Sequence, residues 1–209
     1  VKGVLFNVWA PKALSVSVVG EFNKYDGRVH LMERIEDTGV FELFIPGLAA
    51  GCGYMYEIKR QGKGTTRKLD PVSRQISSVP ITASVVSDEN MPDSYAWNDG
   101  LWMIKRKKEA GKKKPVTVYE VSLTDWLKEK SADELVDFVK QEGYTHVCFL
   151  PVAEYLNEEM NGYSTLGYFA VTHRTGGSDA FKKLVDDCHN AGIGVIIDWN
   201  GAYFGTEVK

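Results

Sequence analysis

An apolar segment close to the end of the chain constrains the fold more than any other feature. Residues 193–197 read IGVII, an almost unbroken apolar run that is typical of a strand buried on both faces of a parallel sheet. Asp198 follows directly, and in a β/α barrel a polar residue at this end of a strand points into the active-site face. The segment therefore predicts a barrel strand that ends in a functional carboxylate.

The rest of residues 115–209 shows the same alternation of elements. Residues 116–121 and 145–150 predict two further buried strands, each followed by a helical pattern. A long loop at 152–177 separates the second strand from its helix, and loops of that size inside a domain usually carry function. The order predicts three parallel strands with right-handed crossovers, which are the first three βα units of a truncated (β/α)8 barrel.

The ends of the two predicted helices have local signals. Ser131 and Glu134 have the spacing of a capping box, and Gly143 is placed to end the first helix. Ser178 is the expected N-cap of the second helix, and Gly192 is the residue expected just beyond its end.

Residues 1–87 are built differently. Short runs rich in Val, Phe and Tyr alternate with turn signals such as FNKYDG and QGKG, without a helical pattern. They predict an antiparallel, immunoglobulin-like β-sandwich. Residues 88–114 are connective, and seven basic residues crowd into 105–114. We interpret this run as a solvated linker rather than a phosphate site, because no aromatic residues are interleaved with the charges.

Composition excludes several classes of partner. The net charge of −3 gives no reason to expect nucleic acid, and no apolar stretch approaches the roughly 20 residues that span a bilayer. Cys52, Cys148 and Cys188 share no ligand spacing and predict free thiols in a reducing, cytoplasmic compartment. We expect no metal and no cofactor, and structural or surface roles for the four histidines: His30, His146, His173 and His189.

Several segments, taken in chain order, resemble one known family. The run GVLFNVWAPKALSVSVVGEFNKYDGRVHLMER resembles the N-terminal carbohydrate-binding module of family 48 (CBM48) in glycogen branching enzymes. VYEVSLTDW is similar to the strand that opens their catalytic barrel, and GYTHVCFLPVAEY, NGYSTLGYFAVTHR and GIGVIIDW resemble its second and third units. Branching enzymes belong to the alpha-amylase superfamily (glycoside hydrolase family 13), so the resemblance implies a transferase of glycogen biosynthesis.

The resemblance also implies a chemistry and a partner. Members transfer segments of α-1,4-glucan to 6-hydroxyls with retention, which needs two carboxyl groups roughly 5–5.5 Å apart. The family takes these groups from barrel strands four and five, which lie outside this sequence. We therefore expect an N-terminal fragment without catalytic residues, inactive alone, whose partner is an α-1,4-glucan such as glycogen or amylose. Its oligomeric state is not predicted.

The resemblance implies substrate contacts at two positions that carry over, and two further tyrosines are candidates. Tyr163 matches the tyrosine that stacks near the sugar in the family, and Asp198 matches the acidic residue that ends strand three. Tyr203 stands where the family has a substrate-binding histidine, and Tyr25 is a candidate for a glucan contact on the sandwich surface. From the residues alone, Tyr163 also fits a loop-packing role, and Asp198 fits a helix-cap or ion-pair role.

Some positions depart from the family pattern. Ser122 and Thr124 fall where members have histidine and glycine, while Asn161 and Ser164 flank the Gly-Tyr pair in place of tryptophan and glutamine. On the sandwich, Met55 replaces a lysine of glucan-binding members. Two alternatives therefore stay open: a non-catalytic glucan-binding or regulatory chain, and part of a debranching or trehalose-releasing hydrolase.

Overall fold

The structure is a computed structural model that describes residues 1–77, 81–87, 95–157 and 160–202. Its contacts divide these residues into two units. The first contains the described residues up to 87 together with Leu166–Ala170, and the second contains residues 95–165 and 171–202. Each unit has its own buried apolar cluster.

The first unit is built from antiparallel strands. In chain order they are β1 (Gly3–Trp9), β2 (Ser15–Gly20), β3 (Glu33–Ile35), β4 (Val40–Pro46), β5 (Gly53–Arg60), β6 (Lys63–Lys68), β7 (Ile76–Ser77) and β8 (Ala83–Val85). One sheet has the order β1-β4-β3, and the other has the order β2-β5-β8-β7 with β6 also paired to β5. Two single-turn 3-10 helices, Glu21–Asn23 and Glu36–Thr38, lie between strands.

Alternating side chains from both sheets fill one core. Phe6 of β1 and Phe41 of β4 pack in the same cluster as Val16, Val18 and Tyr56 of the second sheet. In a strand with one buried and one exposed face, side chains that point into the core alternate with side chains that point to solvent. The predicted antiparallel β domain is confirmed.

A buried polar group closes one part of this unit. Asp70 is 6% exposed and accepts hydrogen bonds from the Tyr54 hydroxyl (2.6 Å), the Tyr56 hydroxyl (3.3 Å) and the Val72 amide (2.9 Å). Its own amide donates to the Ser84 hydroxyl at 2.9 Å. The carboxylate is almost fully out of solvent, and these hydrogen bonds offset the free-energy cost of removing it from water.

The second unit contains a parallel sheet and helices. Its elements in chain order are α1 (Gly100–Glu109), β9 (Val118–Val121), α2 (Leu123–Trp126), α3 (Ala132–Gln141), β10 (His146–Phe149), β11 (Ala153–Tyr155), β12 (Thr165–Val171, most of which groups with the first unit), α4 (Gly177–Asn190) and β13 (Gly194–Ile197). Strands β13, β10 and β9 pair in that order, and both pairings are parallel. The three parallel strands predicted from the sequence are present.

Helices α3 and α4 pack their apolar stripes against one face of this sheet. Val147 and Phe149 of β10 share a cluster with Leu135 of α3 and with Leu184 and Cys188 of α4. Because successive side chains of a strand point to opposite faces, Cys148 of β10 and its neighbour Ile196 of β13 lie on the other face of the sheet. On that second face Cys148 of β10 is buried, whereas Ile196 of β13 is 40% exposed.

The helix ends are partly as predicted. Ser131 and Glu134 form the capping box, with the Ser131 amide donating to Glu134 Oε2 at 2.8 Å. Gly192 follows α4 with φ +86°, in the left-handed region that glycine tolerates. Ser178 is not the N-cap, because Gly176 at φ +87° turns the chain and α4 already begins at Gly177.

The last strand is not buried on both faces, which corrects the sequence prediction. Ile196 and Ile197 expose 40% and 46% of their surface. In the described part of the chain β13 pairs with β10 alone, so it is the edge of the three-stranded sheet. An edge strand covered on one face leaves such apolar side chains in contact with solvent.

Residues 100–109 form a helix where the sequence predicted only connecting chain. Trp102 stacks on the His189 ring of α4 at 5.0 Å between centroids, and Asp99 Oδ2 lies 2.7 Å from His189 Nδ1. Asp186 of α4, 3% exposed, accepts a hydrogen bond from the Asn98 amide at 3.0 Å. Leu, Met, Lys and Arg are good helix formers, and these contacts to α4 fix where the helix begins.

Candidate functional site

Strand β13 delivers Asp198 to the carboxyl end of the parallel sheet. The Asp198 amide donates to the Phe149 carbonyl at 2.9 Å and so prolongs the pairing of β13 with β10 by one residue. Register places Ile196 beside Cys148 of β10 and Cys148 beside Glu120 of β9. Asp198 comes two residues after Ile196, which places it on the same sheet face, the one opposite the helices.

Tyr163 reaches this carboxylate from the segment between β11 and β12. Its hydroxyl donates to Asp198 Oδ2 at 2.5 Å, and both side chains are half-buried. The Asn200 amide group lies 3.4 Å from the Tyr163 carbonyl, a second contact between the two loops. The sequence predicted that Tyr163 and Asp198 lie together, and this juxtaposition is confirmed.

The hydrogen bond to Asp198 stabilises the protonated form of the Tyr163 hydroxyl. The pKa of Tyr163 is raised to about 12. The largest cause is the hydrogen bond that its hydroxyl donates to Asp198, followed by partial burial and by the nearby negative charges of Asp198 and Glu120. Burial, followed by the same two carboxylates, raises the pKa of the Cys148 thiol. At neutral pH the site therefore presents a neutral phenol and a neutral thiol beside carboxylates, which suits hydrogen bonding to hydroxyl groups rather than cysteine nucleophilic chemistry.

An open depression adjoins the carboxyl ends of β9 and β10. About 400 Å³ of space lies within it, part of which is open solvent, and its polar lining comes mainly from Ser122, Thr124, Asp125, Lys128 and Asn161. The Ser122 hydroxyl accepts from the Asp125 amide at 3.3 Å and caps α2. Three of the positions that depart from the family pattern, Ser122, Thr124 and Asn161, thus line this depression.

Sequence reasoning did not single out Glu154, which organises the segment between β11 and α4. Its side chain is 3% exposed and lies 2.6 Å from Arg174 Nη1 and 2.8 Å from His173 Nδ1. Arg174 also stacks over the Tyr155 ring, 4.2 Å from its centroid. A carboxylate inside the strand-like AEY run of residues 153–155 was the only sequence signal, and its charged partners lie about 20 residues further along the chain.

Tyr25 lies in the first unit and its ring is partly occupied. The Arg67 guanidinium sits over the ring at 5.7 Å, and Arg67 Nη2 donates to the Tyr25 carbonyl at 2.9 Å. Arg67 is held in turn by Glu57, with Nε 3.1 Å from Glu57 Oε2. One face of this tyrosine is therefore covered by a cation rather than open for sugar stacking. Tyr203 lies outside the described residues.

The histidines and cysteines form no ligand set in the residues that the structure describes. No group of three or more His, Cys, Asp or Glu side chains there could hold a metal ion. The three cysteines are free thiols, as predicted, and Cys148 and Cys188 are buried. None of the described helices is long and apolar enough to span a membrane.

Comparison with known proteins identifies relatives of both units. Residues 1–73 match the model of the family described as carbohydrate-binding module 48 (isoamylase N-terminal domain). The 1,4-alpha-glucan branching enzyme GlgB of Gloeobacter violaceus is 43% identical over 99% of this chain, and that of Methylococcus capsulatus is 44% identical over 99%. The resemblance to branching enzymes is confirmed. The chain spans about 30% of the length of these relatives.

Solved structures agree on the fold. A crystal structure of a proposed alpha amylase from Salmonella typhimurium matches 99% of this chain with a TM-score of 0.72 and 25% identity, over 33% of its own length. The catalytic module of the glycogen-degrading pneumococcal virulence factor SpuA matches 94% with a TM-score of 0.67 and 22% identity, over 35% of its length. The structural neighbours are thus enzymes of the alpha-amylase type.

Proposed function

We propose that this chain is part of a 1,4-alpha-glucan branching enzyme that acts in glycogen biosynthesis. The observation that carries the proposal is the identity of 43–44% to two such enzymes along 99% of the chain, through both units. A match to the carbohydrate-binding module alone would not separate branching enzymes from other proteins that carry it. The agreement through the second unit supports the narrower assignment.

The proposed domains follow from this assignment. Residues 1–87 are a glucan-associated module, 88–114 a linker that includes α1, and 115–209 the first three βα units of a (β/α)8 catalytic barrel. The parallel order of β9, β10 and β13 supports the barrel assignment, as does the covering of one sheet face by α3 and α4. In a closed barrel the face opposite α3 and α4, with Cys148 and Asp198, is the interior.

Within that barrel, Tyr163, Asp198 and Tyr203 are proposed to contact the glucan near the bond that is broken. A tyrosine packs its apolar ring face on a sugar, and the Asp198 carboxylate orients its hydroxyl. The protonated hydroxyl of Tyr163 supports this, because it fixes the ring beside Asp198. Retaining transfer itself needs a nucleophile and an acid from later strands. The 209-residue chain is therefore inactive alone and contributes binding and positioning.

The partner proposed for both units is an α-1,4-glucan, and the compartment is the cytoplasm. Two buried, unpaired thiols support a reducing environment.

Product analysis of the full-length parent protein tests the assignment. Incubation with amylose should create new α-1,6 bonds, detected as isoamylase-sensitive branches, with little reducing sugar released. Release of trehalose, or net hydrolysis, would assign the parent to a hydrolase instead. Absence of any reaction together with retained glucan binding would assign it to the non-catalytic class.

Replacing Asp198 by alanine and Tyr203 by histidine in the parent tests the site. Loss of Asp198 should lower branching far more than loss of Tyr25 on the sandwich. Restoring the family's histidine at 203 should raise it. Unchanged activity in both variants would remove these residues from the substrate site.

A further inference from the structure

The outer face of the β1-β4-β3 sheet carries exposed apolar side chains in two rows. The register pairs Leu5 with Phe44 and Trp9 with Val40, and it places Ile35 of β3 beside Val40. Trp9 exposes 70% of its surface, Leu5 53% and Phe44 45%. Paired residues of antiparallel strands point to the same side, so these side chains share one surface opposite the core. We call it the outer sheet face.

Two aromatic rings lie on this face beside glycines, and Gly3 leaves the room that the Phe44 ring occupies. A Cβ added to Gly3 would come within 2.6 Å of Phe44 Cζ, so the Phe44 ring lies across Gly3. A Cβ added to Gly39 would lie 3.4 Å from Trp9 Nε1, which places the indole edge beside that turn. The rings mark the two ends of a platform four strand residues long, about 13 Å at the usual rise per residue.

A polar row separates the two apolar rows. Asn7 of β1 pairs with Glu42 of β4, which pairs with Glu33 of β3. Like charges directly opposite each other weaken a sheet. Among the described residues, neither carboxylate has an ion-pair or hydrogen-bond partner, and neither does the Asn7 side-chain amide. The face thus keeps two acceptors and an amide available at some cost to folding.

We propose that the outer sheet face is a second glucan-binding surface, on which Trp9 and Phe44 stack on sugar rings and Glu42, Glu33 and Asn7 bind their hydroxyls. This inference rests on the proposed function for the choice of an α-1,4-glucan. Flat apolar rings match the C–H faces of a sugar, and a row of carboxylates accepts hydrogen bonds from its O–H groups. The length of the platform exceeds one sugar ring, so the ligand is a chain.

The surface differs from the one that the sequence suggested. Tyr25 has its ring under Arg67, whereas Trp9 is the most exposed aromatic residue described in the first unit. A basic protein partner would also suit the two carboxylates. Its binding would weaken steeply with salt, whereas binding of a neutral glucan would not.

Native gel electrophoresis of the 209-residue chain in amylopectin, with maltoheptaose titrations at two salt concentrations, tests the proposal. Trp9→Ala and Phe44→Ala should each weaken binding about tenfold, as truncation of a central aromatic contact does, and Glu42→Gln should weaken it less. Leu14→Ala is the matched control, because Leu14 is 58% exposed and lies next to β2 in the other sheet. It should leave binding unchanged. Circular dichroism checks that each variant folds.

Several results would overturn the proposal. Wild-type retardation that survives in Trp9→Ala and Phe44→Ala, or is lost in Tyr25→Ala alone, would leave glucan binding in place and refute this surface. Maltoheptaose binding that falls steeply at high salt would contradict recognition of a neutral glucan by this face. A change of oligomeric state in Trp9→Ala without a change in glucan affinity would assign the face to a protein contact instead. If the wild-type chain is not retarded at all, this surface is refuted, while branching by the parent remains separately measurable.

Discussion

Replacing Tyr163 by phenylalanine removes a single hydroxyl and isolates the contact that joins the loop before β12 to the end of β13. A pKa raised from 10.0 to about 12 sets an upper limit of about 2.7 kcal/mol on the stabilisation. Because both side chains are half-buried, solvent screening reduces this value. We expect Tyr163→Phe to lower the free energy of unfolding of the second unit by about 1 kcal/mol at neutral pH.

The pH dependence has a definite sign. The folded pKa of Tyr163 lies above its unfolded value, so the folded protein holds this proton more tightly. The stabilisation is complete below pH 10 and is lost as the pH rises toward about 12. The difference in stability between wild type and Tyr163→Phe should therefore shrink across that range.

A double-mutant cycle with Asp198→Ala provides the measurement. Urea unfolding is followed by tryptophan fluorescence, which reports mainly on the second unit, since Trp97, Trp102, Trp126 and Trp199 lie there. Tyr25→Phe is the control, because its hydroxyl has no hydrogen-bond partner among the described residues. A coupling energy below about 0.3 kcal/mol between Tyr163 and Asp198 would refute the reasoning.

Three further substitutions test contacts that hold each unit together, and urea unfolding measures all of them. Asp70→Ala should cost about 2–4 kcal/mol in the first unit, because it removes a buried carboxylate that accepts hydrogen bonds from the Tyr54 hydroxyl, the Tyr56 hydroxyl and the Val72 amide. Glu154→Gln should cost about 2–3 kcal/mol, because it removes the charge of a carboxylate that is 3% exposed and forms an ion pair with Arg174. A cost under about 0.5 kcal/mol, which is typical of an exposed ion pair, would contradict this. Ser131→Ala should cost about 1 kcal/mol through loss of the capping box, and an unchanged midpoint would contradict it.

The features that sequence reasoning predicted are those encoded locally. The capping box at Ser131 and Glu134 needs only four residues, and the strand before Asp198 needs one apolar run. Placing Asp198 at a strand end followed from the same run. The proximity of Tyr163 needed the family resemblance, because 35 residues separate the two side chains in the sequence.

The features that were missed depend on partners far along the chain. Helix α1 is held by Trp102 and Asp99 against His189, about 90 residues later, and a basic run gave no sign of that contact. Strands β11 and β12 lie in what the pattern predicted as one long loop, 152–177. The exposure of Ile196 depends on which strands lie beside β13, which a local apolar run does not specify.

Branching activity of the full-length parent tests the central claim most directly. Amylose is incubated with the purified parent, and the α-1,6 anomeric signal is followed by proton NMR alongside the reducing ends. The account predicts growth of the α-1,6 signal at a nearly constant number of reducing ends, with strong loss in Asp198→Ala. A rise in reducing ends without new α-1,6 bonds, or α-1,6 formation unaffected by Asp198→Ala, would contradict it.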